Sequence, residues 1–120
     1  LCVPLIDENN FAINSENDDI IALLQSEFKA DKIISLIEAP GFLLDKNDPD
    51  SLLKNMSKAE LEAMEQKVDG RMKRKILALR KLFGEGLTAG EANETTVILS
   101  DGRTENPIQD ALNGKGTTIK

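Results

Sequence analysis

Lys32 to Ile37 is a short β-branched run that reads as a buried strand, broken after its end by Pro40-Gly41. Thr95 to Leu99 is a second strand of the same kind. Helical patterns surround these two runs. Ser15 to Phe28 carries Ile20, Ile21, Leu24 and Phe28 at helical spacing. Ser57-Lys58-Ala59-Glu60 is a capping box that opens a helix to about Lys67. A further helix has Met72, Ile76, Leu79 and Phe83 as its inner stripe and ends at Gly84 and Gly86. Asn106-Pro107 starts a helix through Leu112, with Asn as cap and Pro in the first turn. Leu1 to Ile6, Phe11 to Ile13 and Thr117 to Ile119 read as short strands. Strands alternating with helices predict an α/β layer architecture with a largely parallel sheet. Ligands of such sheets sit beyond the carboxyl ends of strands. Three loops occupy that position: Asn14 to Asp18, Glu38 to Gly41 and Ser100 to Arg103.

The 120 residues suffice for one domain with a core. There are 21 Asp and Glu against 15 Lys and Arg, four Phe, and no Trp or Tyr. Net charge −6 and scarce aromatics argue against nucleic-acid binding. The absence of His removes imidazole bases and ligands, and a single Cys excludes an internal disulfide or a Cys-rich zinc site. Asp45 to Asp50 has the composition of a calcium loop but not its spacing. Asp50 stands where Gly is needed, and Met56 where the bidentate Glu belongs. No apolar run is long enough for a membrane span, so a cytoplasmic protein is expected. The chain opens on Leu1 in an apolar run, which suggests the carboxyl-terminal portion of a longer protein.

Against this acidic background, Gly70-Arg71-Met72-Lys73-Arg74-Lys75 places four basic residues in five positions at a helix start. Backbone N–H groups and cationic side chains there converge on one spot, which suits an anion such as phosphate. A solvated basic face is the plain alternative.

Taken in order, these segments resemble the amino acid kinase family. The carrying residues are Asn14 and Asp18 at a helix start, then Ile37-Glu38-Ala39-Pro40-Gly41 followed by Phe42-Leu43-Leu44-Asp45. After them come Met72 to Lys75, Ser100-Asp101-Gly102-Arg103 and Gly114-Lys115-Gly116-Thr117. Gly70-Arg71-Met72 with its basic continuation, the Asp48-Pro49-Asp50 loop and the Asp101-Gly102-Arg103 turn look most like the LysW-dependent 2-aminoadipate or glutamate kinases. Acetylglutamate kinases are close, and uridylate kinase is next. The resemblance covers the whole chain and implies a three-layer αβα fold, the carboxyl-terminal nucleotide-binding half of the carbamate kinase-like fold.

The implied reaction is ATP-dependent phosphorylation of a side-chain carboxylate whose amino group is attached to a small acidic carrier protein. It would belong to lysine or arginine biosynthesis. Magnesium would accompany ATP, and the complete enzyme would be at least a homodimer. By this resemblance Lys75 would contact the transferring phosphoryl group. Asp18 would hold catalytic lysines in place, and Asn14 would bind the amino-acid substrate. Glu38, Ala39, Pro40, Gly41 and Met72 would line the nucleotide pocket. Glu38 stands where the family has Asp, and Ile37 where it has Thr. Arg71, Lys73 and Arg74 would meet the carrier, the phosphates or only water, with the carrier preferred on charge. The family's glycine-rich phosphate loop and amino-terminal catalytic lysine have no counterpart in these residues, so the chain alone is expected not to turn over. A module that binds an acidic partner without catalysis is the reading from another class.

Overall fold

Parallel pairing of the two long β-branched runs forms the centre of the fold. The structure is a computed structural model that describes residues 5–14, 17–45, 47–66, 70–84 and 95–120; the side chains at 70–72, 75, 82 and 84 are not described. Strand β1 (Leu5–Ile6) returns through an Asp7 turn to β2 (Ala12–Ile13). Asp7 Oδ1 accepts the N–H groups of Asn9 and Phe11, both at 2.9 Å. Helix α1 (Asn17–Phe28) leads to β3 (Lys32–Ile37). A small hairpin of β4 (Phe42–Leu43) and β5 (Leu52–Leu53) follows, then β6 (Asn55–Met56), α2 (Lys58–Glu65) and α3 (Gly70–Gly84). Strand β7 (Thr96–Asp101), α4 (Pro107–Leu112) and β8 (Thr117–Ile119) complete the described chain.

The main sheet runs β3-β7-β8-β6. Strands β3 and β7 are parallel, as are β6 and β8, while β7 and β8 are antiparallel. The sheet is therefore mostly parallel, with one antiparallel pair inside it. Sequence periodicity did not find β4, β5 and β6. Each is two residues long, too short to show an alternation.

Period-two alternation sorts the strands between two helical layers. Val97, Leu99 and Ile119 face the helices α1, α2 and α3, and join Leu61, Ile76, Leu79, Met56 and Phe42 in one buried cluster. Ile21, Ala22, Ile33, Ile37, Met64 and Phe83 pack around it. Ile76, Val97 and Ile119 are wholly buried, each contributing roughly 1.5–3 kcal/mol by leaving water. The opposite face of β3 and β7 carries α4, whose Ala111 is buried. The expected inner stripe of the basic helix holds at Ile76, Leu79 and Phe83; the side chain of Met72 lies outside the described residues.

Local signals account for most element ends. Ser57 Oγ accepts the Glu60 N–H at 3.2 Å, and Glu60 Oε2 accepts the Ser57 N–H at 2.8 Å. The Ser57 backbone N–H first, and then the Ser57 hydroxyl donating to Oε2 at 2.9 Å, hold the Glu60 carboxyl below its ordinary pKa. Helix α1 ends where Lys29 takes φ 49°, with the Lys29 N–H on the Gln25 carbonyl. The buried Gln25 side chain then joins the helix end to the start of β7. Its Nε2 donates to Thr95 Oγ1 at 2.8 Å, and its Oε1 accepts the Ala30 N–H. Helices α2 and α3 are tied by Arg80 between Glu62 and Glu65, and by Lys58 over the Phe83 ring at 4.9 Å. One expected cap is absent: Asn106 makes no side-chain bond to α4. Its backbone sits at φ −132°, ψ 63°, short of the extended conformation that aims a cap side chain at the first-turn N–H groups.

Two glycines near the carboxyl end differ in what they allow. Gly114 has φ +85° but open space where a Cβ would stand, whereas Gly116 has φ +108° and a Cβ there would lie 2.1 Å from the Leu99 carbonyl oxygen. Gly114→Ala is expected to cost about 1 kcal/mol of stability for the backbone conformation alone. Gly116→Ala must also push β8 away from β7, and is expected to cost at least ~3 kcal/mol. Urea unfolding midpoints of the two variants check this order.

Candidate functional site

The carboxyl ends of β3 and β7 lie side by side because the strands share register from Lys32 opposite Thr96 to Ile37 opposite Asp101. A cavity of about 510 Å³ opens along this edge, between the sheet and helices α1 and α3. Its floor is Ile33, Ser35, Ile37 and Leu99 from the strands. Ile21 of α1 and Ala78 and Leu79 of α3 form its helical wall. Segment 38–43 and Pro49 fold over it, and Arg103 reaches it from the turn after β7. The walls are largely apolar, and Asp18, Ser35, Glu38 and Arg103 supply polar groups. A concave apolar site with a few convergent polar groups is the usual form of a small-molecule pocket.

The lid segment is fastened from below. Thr117 Oγ1 accepts the Phe42 N–H at 2.8 Å and donates to the Leu53 carbonyl. Phe42 is buried in the core. Gly41 fits against this anchor because it has no side chain: a Cβ there would lie 2.7 Å from Thr117 Oγ1 and 2.8 Å from Leu52 Cδ1. The Asp48-Pro49-Asp50 loop above is held by its own acids. Asp45 Oδ1 accepts the Asn47 N–H, and Asp48 Oδ1 accepts the Asp50 N–H.

Glu38, Ala39, Pro40 and Gly41 all line the cavity, as does Asp18. Asn14 is exposed just beyond β2 and is not among the lining residues. Lys73 and Arg74 are exposed on α3. Arg74 also borders a second recess between α1 and α3, shared with Asp18, Asp19, Leu77, Arg80 and Lys81. There Asp19 pairs with Lys81 at 2.6 Å, joining the two helices beside Asp18. The backbone of Arg71, Met72 and Lys75 belongs to α3, but their side chains lie outside the described residues. Among the described residues no helix is long and apolar enough to cross a membrane, and no three acidic or thiol groups cluster as metal ligands.

Arg103 and Asp101 were legible in the sequence as part of a strand-end loop, but their pairing was not. Arg103 Nε and Nη2 donate to Asp101 Oδ1 and Oδ2, both at 2.8 Å, and the Arg103 backbone N–H adds a third bond at 3.0 Å. Such a planar, two-point pair fixes the guanidinium plane. The Arg103 side chain and then its N–H lower the Asp101 pKa from 3.8 to about 2. Their signal was the two-residue spacing across Asp101-Gly102-Arg103, which lets the arginine fold back on the acid.

No family model matches the chain. It is 33% identical over 122 residues to the LysW-aminoadipate kinase of Thermus thermophilus, covering all of this chain and 43% of that protein. Acetylglutamate kinases match as well. Among solved structures, the N-acetylglutamate synthase from Neisseria gonorrhoeae superposes with a TM-score of 0.70 at 18% identity, over 93% of this chain and 25% of that one. The carbamate kinase from Giardia lamblia gives 0.63 at 23% identity, over 94% and 35%. At these identities the two structures speak for the fold alone. The chain spans about two-fifths of the length of the LysW-dependent relatives it matches.

Because the folded Asp101 binds its proton less tightly than an ordinary aspartate, its ionised form favours the native state. That contribution is full above about pH 5, where even the unfolded carboxyl is ionised, and disappears as pH falls through about 2. The difference in urea midpoint between the wild type and Asp101→Asn is therefore expected to be constant from pH 7 to about 5 and to shrink toward pH 2. Carboxyl chemical shifts of Asp101 should titrate near pH 2. Along its whole length, then, the chain is a homologue of the LysW-aminoadipate kinases, and it has the α/β fold of the Giardia lamblia carbamate kinase.

Proposed function

We propose that this chain is the nucleotide-binding, carboxyl-terminal portion of a kinase that phosphorylates the side-chain carboxylate of a carrier-bound 2-aminoadipate or glutamate. The observation that carries the reading is the convergence of Asp18 and Glu38 to Gly41 on one cavity at the carboxyl ends of β3 and β7. Homology to LysW-aminoadipate kinases along the whole chain supports the choice of substrate. The complete enzyme would be a cytoplasmic homodimer.

In this reading ATP occupies the cavity, with its base and ribose under segment 38–41 and Met72. The substrate carboxylate attacks the γ-phosphorus. A new O–P bond forms to give an acyl phosphate, the bond to the bridging β,γ-oxygen breaks, and ADP leaves. The nucleophile is already ionised, so no general base is needed and the lack of His is no obstacle. Two anions must be brought together, so positioning and neutralisation of charge supply most of the catalysis. Lys75 meets the transferring phosphoryl group, where a compact ammonium follows charge as it moves between oxygens. Asp18, at the start of α1, keeps such lysines protonated and aimed. Asn14 contacts the amino-acid part of the substrate. Magnesium would accompany the ATP phosphates and neutralise part of their charge.

Basic α3 serves the acidic carrier. Arg71, Lys73 and Arg74 lie at its start, and their charge would speed encounter with a negative partner. Acetylglutamate kinase is the second reading, favoured by the 34% identity over 85 residues shared with that enzyme of Gloeobacter violaceus.

Tests use the protein that contains this chain. Activity with carrier-bound substrate but not with free N-acetylglutamate is expected, and the reverse preference would put the second reading first. Lys75→Ala is expected to lower kcat by about 10³-fold with under about tenfold change in ATP affinity. Unchanged phosphoryl transfer in that variant would place the catalytic groups outside this chain and make the chain a binding module. Lys73→Glu with Arg74→Glu is expected to raise KM for the carrier about tenfold at low salt, less at high salt, and to leave KM for ATP as it was.

A further inference from the structure

The face of β3 that looks into the cavity is interrupted once. Ile33, Ser35 and Ile37 share that face by period-two alternation, and all three line the cavity floor. An apolar residue at 35 would complete a strip of the kind that helices cover, but a hydroxyl stands there instead. Ser35 is half-buried beside its register partner Leu99, which belongs to the core. Among the described residues its hydroxyl has no hydrogen-bond partner. A polar group in apolar surroundings costs stability until something bonds it.

The charges of the cavity lie at its mouth. Asp18 is at the start of α1, and Glu38 and Arg103 are on the turns beyond β3 and β7. The Gly102 N–H ties these turns together by donating to the Ile37 carbonyl at 2.9 Å. Ser35 instead stands two residues inside the strand, with Ile33, Ile37, Ala78, Leu79 and Leu99 as fellow lining residues. A triphosphate taken in among them would lose its water without gaining a counter-charge. A flat, uncharged heterocycle loses little there and can use the hydroxyl. Ser35 on the sheet and Ala78 on α3 are also small, which leaves room between the two walls.

We propose that Ser35 is a nucleobase-binding residue of the cavity floor, its hydroxyl bonding the edge of the base and its small size admitting the ring between β3 and α3. The inference rests on the nucleotide reading above and deepens it by giving the uncharged end of the nucleotide to Ser35. A hydroxyl both donates and accepts, so it serves a ring nitrogen or an exocyclic amino group.

The protein that contains this chain is titrated with ATP and with ribose 5-triphosphate, which keeps the sugar and phosphates but has no base. Wild type is expected to bind ATP at least about tenfold more tightly, since the base brings both buried area and a hydrogen bond. Ser35→Ala is expected to weaken ATP about fivefold, the scale of one neutral hydrogen bond, and to leave ribose 5-triphosphate unchanged. Ser35→Leu puts an apolar side chain where the base would lie. It is expected to abolish the preference for ATP, with a urea midpoint at or above that of the wild type because it fills open space. Ser35→Ala decides alone if Ser35→Leu does not fold. A purely structural role would weaken both ligands equally and leave their ratio intact. A wild-type ratio in Ser35→Ala, wild-type ATP binding by Ser35→Leu, or no preference in the wild type overturns this inference alone. Binding of neither ligand by the wild type overturns the nucleotide reading and this inference with it.

Discussion

The parallel pairing of β3 with β7 is the constraint on which the remaining structure depends. Six residue pairs in register bring Ile37 beside Asp101, and hence two loops to one edge of the sheet. Both strands are mainly apolar on the face toward α1 and α3, with Ser35 the polar exception, and helices must cover that face for the pair to persist. The same register decides where a cavity opens. Between the strands and helices α1 and α3 the packing leaves a cavity, floored by Ile33, Ser35, Ile37 and Leu99.

A second level of order comes from polar groups that tie segments far apart in the sequence. Thr117 on β8 bonds both the lid at Phe42 and the hairpin at Leu53. Gln25 and Thr95 join the end of α1 to the start of β7. The Gly102 N–H joins the two turns at the mouth of the cavity. Each bond is worth about 1 kcal/mol in net stability, but each also fixes a loop position that apolar packing would leave loose. Rigidity of this kind suits a site whose chemistry would rest on positioning anions rather than on a strong base.

Charge is divided in a way that total composition hides. The chain carries net charge −6, yet α3 has no acid in its first turn and presents Lys73 and Arg74 to solvent. Acids collect at the start of α1, around Asp45 to Asp50, and at Asp101 and Asp110. Several are already engaged: Asp19 with Lys81, Asp101 with Arg103, Asp110 with Lys115. Such pairs at the surface add little stability, and their use here is to hold helix ends and turns in place.

The amino-acid sequence by itself determined the two strands, the helices, the capping box at Ser57 and the loops at the strand ends. These follow from local rules: β-branched runs, helical spacing of Ile76, Leu79 and Phe83, and glycines or prolines at breaks. Tertiary structure alone decided that β8 lies antiparallel beside β7, since three residues carry no mark of their partner's direction. It alone added the two-residue strands β4, β5 and β6, which exist because a neighbour offers hydrogen bonds rather than because their residues prefer them. Within the site, Glu38 to Gly41, Asp18 and the loop that ends in Arg103 were readable as lying at the ligand edge, whereas Phe42 and Pro49 were not. Their place in the cavity depends on which strand ends are neighbours, and that is a property of register between strands far apart in the chain rather than of any local pattern.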